Sequence, residues 1–282
     1  MPILRARVAS TLFVVCVTVL AAGCTRTFFQ PERELVGTPE RVGLRYETVP
    51  VRAADGVELF TWFLPARGTA QATVLFLHGN AENISTHFAN VAWMPAEGFN
   101  VLALEYRGYG SSGGRPSLAG VQLDIDAALE ALLERRDVDP RRIVVFGQSL
   151  GGALAIHYAA RGRHRDALRA VIADSSFADY RAIVKEKLAG FFLTWPFQWL
   201  PLLTVNNDYS PLASVRAVSP LPLLLIHGEH DSIVPADHSK RLYEAAAQPK
   251  ELWLLATAGH IQSVGDPALR RRLAQFVLRA VQ

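Results

Sequence analysis

The stretch Ile143-Val144-Val145-Phe146-Gly147-Gln148-Ser149-Leu150-Gly151-Gly152-Ala153-Leu154-Ala155-Ile156 carries the strongest signal of chain architecture. It opens on β-branched and aromatic residues, as a buried strand does. It closes on Ala, Leu and Ile, as a buried helix does. Between them Gly147-Gln148-Ser149-Leu150-Gly151 reads G-x-S-x-G. Glycines on both sides let the chain turn sharply and leave room beside the serine. The serine is then pushed out at the strand end, with a helix N-terminus behind it. In this strand-turn-helix setting the pattern points to a nucleophile. The alternative is a glycine-rich turn with an inert serine.

A serine hydroxyl is a poor nucleophile without a base. For this kind of turn the partners follow in the order Ser, acid, His. His260, in Thr257-Ala258-Gly259-His260 after the last strand pattern, is the expected base. The run Leu223-Leu224-Leu225-Ile226-His227-Gly228-Glu229-His230-Asp231 ends a strand and places Asp231 as the acid. Glu229 lies two residues nearer the strand, and Asp174 follows an earlier strand; both are weaker alternatives. An oxyanion needs preorganised donors. The Leu150 N–H is one. The second is the Asn80 N–H in the loop His78-Gly79-Asn80-Ala81, with the Ala81 N–H as its alternative. His78 reads as structural. His227, His230 and Asp231 do not call for a metal, because Asp231 already has a role. No metal and no cofactor is expected.

Outward from this turn, apolar runs alternate with helical patterns. Strands are expected over residues 45–52, 57–64, 73–77, 100–105, 142–146, 170–173, 223–227 and 251–256. Several are unbroken Val/Ile/Leu runs, suited to burial on both faces. Leu118, Val121, Ile125, Leu129 and Leu132 keep a helical spacing, with Ser117 as the cap. Asp266-Pro267 opens a last helix that buries Leu269, Leu273, Phe276 and Val277. The alternation argues for one α/β domain over residues 45–282, with an eight-stranded, mostly parallel sheet flanked by helices. An insert at about 178–216 interrupts it. Its stretch Leu188 to Asn207 holds no charge and contains Phe191, Phe192, Trp195, Phe197 and Trp199. These aromatics are expected to form a short helical lid that lines an acyl pocket, or to touch lipid.

Leu75-Phe76-Leu77-His78-Gly79-Asn80, Glu105-Tyr106-Arg107-Gly108-Tyr109-Gly110-Ser111-Ser112, Gly147 to Gly151, His230-Asp231 and Gly259-His260 together resemble the α/β-hydrolase family of serine hydrolases. The resemblance spans roughly residues 45–282. It is strongest toward the branch of small membrane-associated hydrolases related to the bud-emergence proteins, often labelled serine aminopeptidase-like. It implies an α/β-hydrolase fold and a Ser149-Asp231-His260 triad. Arg107 and its neighbouring glycines read as loop architecture. The expected activity is hydrolysis of a carboxylic ester or thioester of a small-molecule or lipid-like acyl substrate. A serine aminopeptidase-like peptidase is the alternative. A non-catalytic binding lipoprotein is the third reading, against which the intact triad argues.

The chain's 282 residues are half hydrophobic and 20% charged, which excludes a disordered protein. Arg5 and Arg7 precede an uncharged run from Val8 to Ala22, and then Gly23-Cys24. That layout reads as a signal over residues 1–23. Leu20-Ala21-Ala22-Gly23-Cys24 resembles a bacterial lipoprotein signal, with Ala21 where that pattern prefers Leu. Cys24 is then the lipidated residue, and residues 24–44 form a tether. The expected location is the bacterial cell envelope, on a membrane held through the lipidated N-terminus. Residues 1–23 carry two of the 29 basic residues and none of the 26 acidic ones, so the remainder has a net charge of +1. No cluster of Lys and Arg with interleaved aromatics follows, so a nucleic-acid partner is not expected. Two cysteines, both in this region, exclude a disulfide scaffold.

Overall fold

The structure is a computed structural model that describes residues 28–282. The signal over 1–23 and Cys24 lie outside the described residues. Strands follow in chain order as β1 (Gln30–Pro31), β2 (Glu47–Arg52), β3 (Glu58–Leu64), β4 (Ala72–Leu77), β5 (Ala81–Glu82), β6 (Phe99–Leu104), β7 (Ile143–Gln148), β8 (Leu168–Asp174), β9 (Leu223–Gly228) and β10 (Lys250–Leu255). The α-helices are α1 (Ile84–His87), α2 (Leu118–Glu134), α3 (Leu150–Arg161), α4 (Tyr180–Ala189), α5 (Leu200–Thr204), α6 (Pro211–Ser214), α7 (Asp237–Ala245) and α8 (Pro267–Ala280).

Eight strands form one sheet in the order β10-β9-β8-β7-β4-β6-β3-β2. β2 and β3 pair antiparallel, as do β3 and β6; the other pairs are parallel. Each expected strand is present, with ends shifted by one or two residues. β4, β6, β7 and β9 are buried along their whole length. Helices cover both faces of the sheet, so these strands carry apolar side chains on both sides. One core layer holds Leu75, Leu77, Val145, Leu154 and Ile156; the other holds Val74, Phe76, Phe146, Phe276 and Val277. Each such side chain stabilises the fold by about 1.5–3 kcal/mol relative to exposure. Ser117 caps α2 by accepting the Gly120 N–H, and Asp266 caps α8 by accepting the Ala268 N–H.

β4 is flanked by β6 on one side and β7 on the other. The chain leaves β4 in one direction and returns on its other side. Crevices at the carboxyl ends of such strands are where open α/β sheets bind ligands. The loop after β4 and the Ser149 turn after β7 face each other there.

The stretch read as a tether is packed on the domain from Phe28 onward. Phe28 and Phe29 are buried, and β1 pairs with β5. The Phe28 ring meets Tyr180 edge-on at 4.8 Å between centroids. Two aromatic rings in a polar stretch have enough apolar surface to dock it, which the stretch's mean polarity conceals.

Candidate active site

Ser149 has φ 54° and ψ −115°, a region that L-residues seldom occupy. It holds the N-cap position of α3, yet its side chain makes no cap hydrogen bond. A serine there ordinarily spends its oxygen on a helix N–H; this one keeps Oγ free. The flanking glycines are steric necessities. A Cβ on Gly147 would strike the Gly151 carbonyl, and one on Gly151 would strike the carbonyls of Leu77 and His78.

His260 Nδ1 lies 2.7 Å from Asp231 Oδ2. The other oxygen, Oδ1, accepts the N–H groups of Ile233 and Val234 at 2.8 and 2.9 Å. Burial alone would raise the Asp231 pKa. Hydrogen bonds from His227 and His260 and the Val234 N–H outweigh it and hold the carboxyl well below the usual carboxylate range. His227 is a supporting residue that sequence reasoning missed. Its Nε2 lies 2.8 Å from the Val234 carbonyl and 3.3 Å from Asp231 Oδ2, while Nδ1 meets Ser239 Oγ at 2.6 Å. Glu229 and His230 point to solvent.

Asp174, the weaker acid candidate, does not reach His260. It is buried and accepts from Gln148 Nε2, Ser175 Oγ and Ser263 Oγ. Its carbonyl accepts the Ser149 N–H at 2.8 Å. Ser175, at φ 55°, receives the Ile261 N–H on its hydroxyl at 3.0 Å. The Asp174-Ser175 corner therefore ties the Ser149 turn to the His260 loop. Asp174, Ser175, Ser176 and Phe177 are all buried, and Phe177 also faces the cavity.

On the facing side, Tyr109 donates its hydroxyl proton to the Asn80 carbonyl at 2.6 Å, and Tyr106 donates to the His78 carbonyl at 2.9 Å. Among the described residues the Asn80 N–H meets no acceptor, and Leu150, as the first residue of α3, has no intrahelical one. Ala81 pairs with Gln30 in the small β1-β5 sheet, and its carbonyl meets His87 Nε2 at 3.0 Å. Beneath this loop lies a fully buried pair, His78 Nε2 3.1 Å from Glu105 Oε1. Burial lowers the His78 pKa to about 4 and raises that of Glu105 to about 8, the Ile84 N–H only partly opposing the latter. Both groups are thus neutral near pH 7. His78 Nδ1–H is directed at the Gly79 carbonyl, 2.8 Å away. With a carboxylate opposite, Nε2 would be left as a buried atom without a partner; a proton on Glu105 gives the contact its donor. Arg107 is architectural, as expected: its guanidinium bridges Asp124 and Asp55.

Ser149, Leu150, His260, Asn80 and Ala81 line one cavity of about 750 Å³. Its apolar walls are Phe28, Phe177, Ile183, Val184, Leu188, Ile233 and Val234, and Glu82, His87 and Lys187 are also on its lining. None of the five insert aromatics lines it. Phe191, Phe192, Trp195, Phe197 and Trp199 are 47–77% exposed. The insert reaches the cavity through α4, whose Ile183, Val184, Lys187 and Leu188 follow helical spacing. The aromatics lie beyond the end of α4, where the chain has left the cavity wall.

A family model described as "Serine aminopeptidase, S33" matches residues 68–219. The chain is 37% identical to the uncharacterized protein YfhR of Escherichia coli K12 over 281 residues, which cover 96% of this chain and 93% of that one. It is 32% identical to protein bem46 of Schizosaccharomyces pombe, over 79% of this chain and 73% of that one. The structure of the Pyrococcus furiosus esterase Pf2001 superposes with a TM-score of 0.73 and 25% identity, over 90% of this chain and all of that one.

Proposed function

The chain belongs to the α/β-hydrolase family, and we propose that it is a serine hydrolase cleaving carboxylic esters or thioesters with an apolar acyl group. One observation carries this reading. An unspent Ser149 hydroxyl and His260, itself held by buried Asp231, line the same largely apolar cavity. With Nδ1–H donating to Asp231, His260 keeps the Nε2 lone pair for the Ser149 proton. Ser149 Oγ then attacks the carbonyl carbon, and the oxyanion is received by the N–H groups of Leu150 and Asn80. His260 returns the proton to the departing alcohol or thiol. Water, activated by the same histidine, releases the acid from Ser149.

The apolar walls favour an acyl chain. The family description and the Glu82 carboxylate at the cavity favour a second reading, a peptidase that binds a free amine; Lys187 on the same lining opposes it. A fluorophosphonate probe compared between wild type and Ser149→Ala tests both. Labelling that persists in the variant overturns them together. Turnover of p-nitrophenyl esters against aminoacyl anilides then separates the two, and faster anilide cleavage overturns the ester reading.

On the sequence of its first 24 residues, the enzyme is placed at the bacterial cell envelope, anchored through a lipidated Cys24. Incorporation of radiolabelled palmitate into wild type but not Cys24→Ala is the expected result. Equal labelling of the two removes this placement.

A further inference from the structure

We propose that the segment from Phe191 to Leu203 is a docking surface for a lipid bilayer with anionic headgroups. Phe191, Phe192, Trp195, Phe197, Trp199 and Leu203 are 47–77% exposed and follow one another within thirteen residues. Single exposed apolar side chains are ordinary, but a contiguous group this large marks an interaction site.

Three observations choose the occupant. First, the segment's own polar groups are turned onto its backbone. Thr194 donates to the Leu188 carbonyl and Gln198 to that of Trp195, and Thr204, the residue after the segment, donates to that of Leu200. A protein partner would ordinarily meet polar rim groups on such a patch. Here the side-chain donors are spent internally, as an apolar medium requires. Second, the charge at its edge suits phospholipid. Lys185 and Lys187 are exposed at the end of α4, whereas Glu186 between them is engaged by His238 at 2.8 Å. Lysines beside an apolar face with Trp and Phe are the composition of interfacial segments. Third, the proposed anchor Cys24 stands four residues before Phe28 in the sequence. Phe28 is packed on Tyr180, the first residue of α4, and shares the cavity lining with Leu188 at the other end of that helix. The chain that follows the proposed anchor is thus packed on α4, the helix from which the aromatic segment continues.

Docking stands apart from the esterase reading, since none of these aromatics lines the cavity. The full chain is reconstituted into phosphatidylcholine–phosphatidylglycerol vesicles, with or without brominated acyl chains, and tryptophan fluorescence is recorded. Bromine quenches only nearby indoles. Quenching of wild type is expected, falling at least about twofold in W195F/W199F and weakening when phosphatidylglycerol is left out. Unquenched wild type, as a protein-covered or water-facing patch would give, overturns the proposal. So does equal quenching of wild type and variant, which would place the reporting indole elsewhere. Fluorophosphonate labelling of the same vesicles reads the hydrolase function separately: its failure beside intact quenching strikes only that function.

Discussion

At Ser149 the backbone sits in a conformation held by its surroundings, with the N–H bonded to the Asp174 carbonyl and glycines on either side. The chemistry proposed there depends on the tautomer of His260, which Asp231 sets. Asp231→Asn therefore lowers kcat by about 10⁴-fold and changes KM much less, measured on a p-nitrophenyl ester. A small loss would show that Asp231 does not set the tautomer. Glu105 makes a different kind of prediction. Its folded pKa of about 8 lies above its ordinary value of 4.5, so between those pH values the folded chain retains a proton that the unfolded chain releases. Its contribution is complete below pH 4.5 and is lost as pH rises through 8. His78 and His87, with pKa values lowered to about 4 by burial, act in the opposite sense and only below about pH 6.5. From pH 6.5 to 8 the wild type should thus lose stability relative to Glu105→Gln, by up to about 1.4 kcal/mol per pH unit. Urea unfolding at several pH values measures it, and parallel curves for the two proteins would refute the assignment of a proton to Glu105.

The strand-turn-helix of β7, Ser149 and α3 is specified by neighbours in sequence and then locked by a neighbour in space. Gly151 lies against the end of β4, where a methyl group would meet the carbonyls of Leu77 and His78. Gly151→Ala should destabilise the fold by about 1–3 kcal/mol, as overpacking does, and reduce fluorophosphonate labelling at Ser149. Wild-type stability and labelling in the variant would show that the turn can relax away from β4. The turn itself was legible because strand, glycine and helix signals are local. The clamp beneath it was not. Ser175 and the Ile261 N–H are 86 residues apart in sequence, and two serines after a strand read equally well as a helix cap or a hinge.

Across the whole molecule, the cavity is assembled from segments that no local pattern joins. They are the chain at Phe28, the loop after β4, α4 of the insert and the loop at Ile233. Truncating a wall should matter more to a long acyl chain than to the reacting carbonyl. Phe28→Ala should lower kcat/KM for long-chain p-nitrophenyl esters several-fold relative to the acetate, consistent with roughly 1–3 kcal/mol for a lost apolar contact. An equal effect on all chain lengths would mean that Phe28 does not contact the acyl group. By composition the insert aromatics suit a pocket lining and a lipid contact equally. Composition reports that a segment is apolar, but not which way it faces.

The eight-stranded sheet, the strand-turn-helix around Ser149 and the chain order Ser149, Asp231, His260 were all legible in the sequence. Strand burial, glycine turns and helix caps are set by residues a few positions apart. Only the folded chain shows that His227 braces Asp231, that Asp174 is instead bound to Gln148, Ser175 and Ser263, that residues 28–44 are docked, and that the aromatics face outward. Each of these depends on which distant segments become neighbours, and that is fixed only when the sheet and its two covering layers close around a common core.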